Sequence, residues 1–188
     1  MDPQIEATVD EVLSLLSRAG GEQYFGEAIT KRQHAEQCAW WAAQAGADPE
    51  LMLAALLHDA GHLLEDEAAI RDERVGVINH DELGARWLLA RGFGPRLAAL
   101  VGGHVDAKRY LTATQPGYYD KLSAASRETL RLQGGPMAPE EAISFAAAAD
   151  LKDMLRLRSW DELAKDPAWE GPSLESYRPM LVSYLSGR

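Results

Sequence analysis

Four of the five histidines in this chain, His34, His58, His80 and His104, recur at intervals of 24, 22 and 24 residues. A helical protein can use such spacing to aim imidazoles from successive elements at one centre. The fifth histidine lies in His58-Asp59-Ala60-Gly61-His62, directly after the apolar run from Leu51 to Leu57. Two ligand-type side chains, His58 and Asp59, therefore adjoin where an apolar helix ends. Imidazole is the commonest transition-metal ligand, and a carboxylate beside it can bridge two ions. One histidine on an apolar face reads as a core residue, whereas the set reads as a metal site.

The local patterns are helical almost throughout, and no strand pattern competes. Ile5, Val9, Val12, Leu13 and Leu16 share one face of a first segment that Gly20-Gly21 ends. Thr30 and Gln33 form a candidate capping box for a second helix carrying His34, Cys38 and Trp41, with Gly46 past its end. Asp48-Pro49 starts a third helix, which delivers His58 and Asp59. Asn79 and Glu82 are placed to cap a fourth that begins at His80 and stops at Gly92. Pro95 starts a fifth, with Gly102-Gly103 as a possible break before His104. After Gln115-Pro116-Gly117, helical stretches are expected near 118–133, 139–165 and 173–186. The expected fold class is all-α, a helical bundle forming a single domain over residues 1–188.

Residues three or four apart share a helix face, so the neighbours of the ligand-type residues carry information. His58 and His62 are so related if the helix survives Gly61, as are His104 with Lys108 and Arg158 with Asp161. Each pair joins a metal-ligand type to a group that can donate to an anion, which places His62, Lys108 and Arg158 above the metals. Arg grips a phosphate-like group with two parallel bonds, and Lys offers a mobile point charge. Trp40, Trp41 and Trp87 read as core rather than as an aromatic cage, Cys38 as a small buried hydrophobe, and Glu65-Asp66-Glu67 as a solvated loop.

The net charge of -10 argues against a nucleic-acid surface, so any anionic ligand must meet a local basic pocket. A lone cysteine precludes an internal disulfide, and Met1-Asp2-Pro3-Gln4-Ile5-Glu6 lacks the character of a signal peptide. Apolar runs are too short for a membrane span. A cytoplasmic setting, with no membrane or nucleic-acid partner, is the expectation.

The ordered set His34, His58-Asp59, His80, His104 and a later Asp resembles the HD-domain superfamily of helical metalloproteins, most of them phosphohydrolases. Gln23-Tyr24-Phe25-Gly26-Glu27-Ala28-Ile29 narrows that resemblance, because it precedes the first histidine by the interval seen in the mixed-valent diiron oxygenases of phosphonate breakdown. Met52 to Asp59, Gly103-His104-Val105, Ala107 to Leu111, Ser123 to Arg127, Gln133 to Met137 and Trp160-Asp161-Glu162 are similar to the same family, the 2-amino-1-hydroxyethylphosphonate dioxygenases and their trimethylammonium-substrate relatives. The resemblance implies two iron ions, Fe(II)/Fe(III), one held by His34, His58, Asp59 and Asp161 and the other by Asp59, His80 and His104, with Asp59 bridging. Spacing alone leaves Asp150 and Asp153 open beside Asp161. The resemblance further implies that Tyr24 caps the second iron until substrate binds, that Glu27 faces the substrate's amino end, and that His62, Lys108, Ser126 and Arg158 hold the phosphonate. The implied partners are a small hydroxyphosphonate and O2, and the products phosphate with glycine or glycine betaine. A metal-dependent phosphohydrolase of a small phosphate ester is the alternative, and a noncatalytic sensor of a phosphorylated ligand a more distant one.

Overall fold

Helix α3 (Pro49–Leu57) is the element around which the others are laid, because its sequence is apolar on every side. Leu51, Leu53, Leu56 and Leu57 are wholly buried, as are Ala54 and Ala55. A helix apolar all round belongs inside, and each of these leucines contributes about 1.5–3 kcal/mol by leaving water. Asp48 starts the helix by accepting a hydrogen bond from the Leu51 amide at 2.9 Å, with Pro49 in the first turn. Its other end stops at Leu57, in the interior, and hands the chain to His58 and Asp59.

The computed structural model describes residues 2–187, and their regular structure is helical apart from one small hairpin and an isolated bridge between Gln23 and Thr30. In chain order the other helices are α1 (Pro3–Arg18), α2 (Lys31–Gln44), α4 (His80–Leu89), α5 (Pro95–Gly102), α6 (His104–Thr114), α7 (Tyr118–Lys121), α8 (Ala124–Leu132), α9 (Pro139–Ala146), α10 (Leu151–Leu163) and α11 (Arg178–Ser186). Helices α2, α5, α10 and α11 pack on α3, and α1 lies against α11. A smaller apolar cluster of Tyr118, Leu122 and Leu130 seats α8 beside α6. The architecture is all-α, as the sequence patterns lead one to expect. None of the described helices is long and apolar enough to cross a membrane.

Several local expectations hold. The Thr30–Gln33 capping box is present, with Gln33 N–H donating to Thr30 Oγ1 at 3.1 Å and Thr30 N–H to Gln33 Oε1 at 2.9 Å. The chain breaks at Gly102-Gly103 and resumes as α6 from His104 to Thr114, so His104 and Lys108 do share a helix face. A Cβ at Gly103 would stand 2.7 Å from Met154 Sδ, so α10 crosses the break at contact distance.

Other expectations are corrected. Arg71–Asp72 and Gly76–Val77 form a two-stranded antiparallel hairpin (β1 and β2) in a segment that showed no strand pattern, with Arg71 opposite Val77. Two-residue strands are too short to display a period. Asn79 makes no cap; its side chain accepts from the Ile70 amide at 2.9 Å and donates to the Ala68 carbonyl at 3.1 Å, tying down the loop before α4. The stretch 118–133 is two helices because Ser123 caps a new one, accepting from the Ser126 amide at 3.2 Å. The stretch 139–165 is likewise divided between α9 and α10, and 173–186 opens as a 3-10 turn, Leu174–Tyr177, before α11. Trp41 and Trp87 pack on the core, but Trp40 stands edge-on to Trp169 at 6.4 Å in the wall of a surface groove.

Helix α3 does not survive to His62. A 3-10 turn, Ala60–Leu63, follows instead, and it packs directly on α4. A Cβ on Gly61 would lie 1.8 Å from the His80 carbonyl oxygen, and one on Gly84 would lie 3.2 Å from the Gly61 nitrogen. These two glycines let the turn settle on α4, so that the His62 ring stacks on His80 at 3.8 Å and 16°. Since the obstacle is backbone, Gly61→Ala is expected to lower stability by about 1–3 kcal/mol or more, read as a fall in Tm, while Gly21→Ala, which meets nothing within 4 Å, stays close to wild type.

Candidate metal centre and anion pocket

His34, His58, His80 and His104 are all buried, and each is oriented in the same way. Their Nδ1 atoms donate to backbone carbonyls, His34 to Ala164 at 2.8 Å, His58 to Ala55 at 2.8 Å, His80 to Val77 at 3.0 Å and His104 to Val101 at 2.6 Å. A carbonyl can only accept, so the proton sits on Nδ1 and the Nε2 lone pair is free. This is how proteins fix the tautomer and direction of a metal-binding imidazole. For His58, His80 and His104 the carbonyl lies three residues upstream, at a helix end or turn. His34, inside α2, instead reaches the end of α10, 130 residues along the chain.

The four Nε2 atoms converge in two pairs, His34 with His58 at 3.2 Å and His80 with His104 at 3.0 Å. Asp59 stands between the pairs with one oxygen toward each. Its Oδ2 lies 3.6 Å from His34 and 3.4 Å from His58, and its Oδ1 lies 3.3 Å from His80 and 3.5 Å from His104. Asp161 joins the first group, with Oδ1 at 3.2 Å from His34 and 3.9 Å from His58. Asp150 and Asp153, the alternatives open in the sequence, instead face Arg96 at 3.3 and 2.7 Å.

The donor set fits metal ions on three grounds. Facing Nε2 lone pairs repel unless a cation or proton lies between them. Ligands at right angles around an ion with bonds of about 2.1 Å are about 3.0 Å apart, which is close to both separations seen here. Asp59 Oδ2 is a buried acceptor with no hydrogen-bond partner among the described residues, an unfavourable state that a cation relieves. The nitrogen and oxygen donors suit iron or manganese without choosing between them. Cys38 has its Sγ 3.8 Å from His34 Nε2, but burial raises its thiol above the usual range and keeps it neutral.

The charges follow from burial and neighbours. Burial works to raise the Asp59 carboxyl, but the surrounding imidazoles, His58 foremost, outweigh it and hold Asp59 well below the carboxylate range. Asp161 is likewise held low against burial, chiefly by Arg158 and His34. Burial lowers His58 to about 4, leaving it neutral and free to coordinate.

A cavity of about 40 Å³ opens on this centre, and its walls include Tyr24, His62, Lys108, Ser126 and Arg158. Arg158 spans the two functions. Its Nη1 pairs with Asp161 Oδ2, its Nε donates to Tyr118 Oη at 3.1 Å and Glu162 Oε1 at 3.0 Å, and its buried Nη2 has no partner among the described residues. An unpaired guanidinium donor beside a carboxylate that faces the histidine group is suited to an anion. Lys108 Nζ donates to Thr129 Oγ1 at 2.9 Å and Gln133 Oε1 at 2.6 Å, which leaves one of its three donors for the cavity. Burial, aided by the like charge of Arg158, lowers Lys108 to about 7.

Tyr24 and Glu27 enter on the loop between α1 and α2. Tyr24 N–H donates to the Ile29 carbonyl at 2.8 Å and Glu27 N–H to the Tyr24 carbonyl at 3.0 Å. The Tyr24 ring stacks on His34, centroids 4.1 Å apart, and burial with the Asp59 and Asp161 charges raises its phenol well above the ordinary range. Glu27 lies in the wall of a second cavity of about 40 Å³, which shares Tyr24, His62, Ser126 and Thr129 with the first. All the site residues inferred from the sequence therefore lie in the histidine–aspartate cluster or line these two cavities. Thr129, Gln133, Tyr118 and Lys165 were not foreseen. Thr129 and Gln133 stand three and seven residues beyond Ser126, a helix-face relation that could have found them; Tyr118 and Lys165 carry no such signal.

The chain is similar to proteins of a known family. The family model described as HD domain matches residues 32–152. The chain is 37% identical over 173 residues to 1-hydroxy-2-(trimethylamino)ethylphosphonate dioxygenase (glycine-betaine-forming) of Leisingera caerulea, covering 92% of this chain and 88% of that protein. It is 34% identical over 202 residues to hydroxymethylphosphonate dioxygenase of Gimesia maris, covering 98% of each, and 35% identical over 184 residues to an uncharacterized protein of Acanthamoeba polyphaga mimivirus, covering 97% and 84%.

Two outcomes are expected. Metal analysis of purified variants should find Asp161→Ala depleted at the four-donor group alone, and Asp59→Ala, which faces both groups, depleted at both. In metal-free protein, sulfate should bind progressively more weakly above pH 7, because Lys108 loses its proton there. Calorimetry should show the apparent Kd rising about tenfold per pH unit, and Lys108→Met should remove the slope.

Proposed function

The chain belongs to the HD-domain family and, within it, to the phosphonate dioxygenases, and we propose that it uses O2 to cleave the carbon–phosphorus bond of a small 1-hydroxyphosphonate. The two named relatives act on compounds that differ in their tails and share a hydroxyphosphonate head. The observation that carries the reading to this chain is Arg158, which holds a metal-ligating carboxylate with one nitrogen and leaves another buried and unpaired toward the cavity. An anion bound there lies directly beside the metal centre.

The reaction is R-CH(OH)-PO3H2 + O2 → R-COOH + H3PO4. Both oxygen atoms appear in the products and all four reducing equivalents come from the substrate, so no outside reductant enters. Glycine is the acid formed from a 2-amino-1-hydroxyethyl substrate, and glycine betaine the acid from its trimethylammonium analogue. We take His34, His58, Asp59 and Asp161 to hold one iron and Asp59, His80 and His104 the other, within one catalytic domain. When bound, the Fe(II)/Fe(III) pair supplies the redox chemistry that activates O2 and the Lewis acidity that fixes the substrate hydroxyl.

The protein groups then have separable tasks. Arg158 and Lys108 offset the phosphonate charge in a buried site, where screening is weak and fixed donors act strongly. Ser126 adds a hydroxyl donor. His62 is kept neutral chiefly by burial, so its unpartnered Nδ1 can serve the same anion. Tyr24, stacked on His34 and protonated, covers the metal side of the cavity and must move to admit substrate. Together these groups orient the carbon–phosphorus bond relative to the centre.

Iron-loaded protein is expected to release phosphate from a 1-hydroxyphosphonate only in the presence of O2, one phosphate for each O2 consumed, as followed by phosphorus NMR and an oxygen electrode. Lys108→Met should lower kcat/KM about 100-fold, and Tyr24→Ala should impair turnover with iron content largely unchanged. Phosphate released from an ester without O2, and none from the phosphonate, would return the chain to the phosphohydrolases of its family.

A further inference from the structure

The carboxylate assigned to the substrate's amino end already has a cation. Lys165 Nζ donates to Glu27 Oε1 at 2.8 Å, and it stands 3.2 Å from Ser123 Oγ and 3.4 Å from Ser126 Oγ. Both side chains are mostly buried, Lys165 17% and Glu27 16% exposed, and both line the second cavity. Glu27 is the one carboxylate among the described lining residues there.

Lys165 is also held firmly in place. The carbonyl of Ala164, immediately before it, accepts the Nδ1 hydrogen of His34 at 2.8 Å. Asp166, immediately after it, exchanges two hydrogen bonds of 3.0 Å with the side chain of Gln37, from its amide to Oε1 and from Nε2 to its carbonyl. The backbone on each side is therefore tied to α2, which carries a metal-ligand imidazole. Only the side chain of Lys165 is left to choose a partner, and that partner is Glu27.

We propose that Lys165 is a specificity-determining residue that supplies from within the protein the positive charge an ammonium tail would bring to Glu27, so that this site selects hydroxyphosphonates with a short uncharged tail over those with an ammonium or trimethylammonium tail. The proposal rests on the hydroxyphosphonate reading of the adjoining cavity. A second cation entering this pocket would share one carboxylate with Lys165 where little solvent screens the repulsion. An uncharged tail meets a neutral pair instead. Ser126, which lines both cavities and lies near Lys165, connects the tail pocket to the phosphonate pocket, so selection at the tail acts on how the head is seated.

The test compares 2-amino-1-hydroxyethylphosphonate with 1-hydroxypropylphosphonate, in which a methyl group replaces the ammonium. Iron-loaded enzyme is assayed for kcat/KM by phosphate release, and anaerobic binding of each compound is measured by calorimetry. Wild type is expected to favour the methyl compound at least tenfold by both measures. Lys165→Met should reverse the preference, Lys165→Arg should keep it, and Glu27→Gln, which retains the lysine and removes its carboxylate, should strengthen it. A wild-type preference for the ammonium compound, or a ratio that Lys165→Met and Glu27→Gln both leave unmoved, overturns the proposal. If O2 and either compound yield no phosphate, the oxygenase reading fails, and the anaerobic binding ratio still decides the role of Lys165.

Discussion

A hydrogen bond from histidine Nδ1 to a backbone carbonyl, made four times, is the interaction on which this structure's chemistry depends. It fixes the proton on the outer nitrogen and leaves each Nε2 lone pair aimed inward. Asp59 then has a defined place, one oxygen toward each histidine pair. Because three of the four carbonyls lie three residues upstream, the ring direction is set by the same helix end or turn that supplies the histidine. The apolar α3 and the Gly61–Gly84 approach matter to function by holding those ends together.

Burying so many charged groups is unfavourable unless each finds a partner. The fold meets this with pairs that serve two purposes. Arg158 holds Asp161 low, steadies it against His34 and His58 and still offers a donor to the cavity. Lys108 pays for its burial with a lowered affinity for its proton, which makes it a charge sensitive to pH near 7. Lys165 and Glu27 neutralise each other in the neighbouring cavity. Moving away from the histidine pairs, the site thus passes from acceptors, to donors, to a neutral pair, the charge order that an anionic head with an uncharged tail would find complementary.

Much of the site could be read in the sequence because the relevant signals are local. The Thr30–Gln33 box, the Asp48-Pro49 start and the Gly102-Gly103 break each involve residues within a turn of one another, and all appear as expected. Helix-face spacing relates Lys108 to His104 and Arg158 to Asp161, and both cations line the cavity. The failures have physical causes as well. Two-residue strands have no period to detect, and Asn79 has the residue type of a cap but spends its side chain on the Ala68 and Ile70 backbone. His62 reaches its place although the helix ends before it, because the 3-10 turn and a glycine contact carry it to His80.

What the sequence by itself determined was the inventory and its local framing. It specified nitrogen and oxygen donors with one buried thiol beside them, helices that end at those donors, and cations one turn away. Short-range backbone geometry suffices for that. Only the tertiary structure decided that Asp161 faces the histidines while Asp150 and Asp153 turn to Arg96, and that Lys165 closes on Glu27 across 138 residues of chain. Such pairings follow from how α10 and the residues after it pack on α2, and the energy that fixes the packing is burial of apolar surface, which leaves no mark on the spacing of the polar residues it brings together.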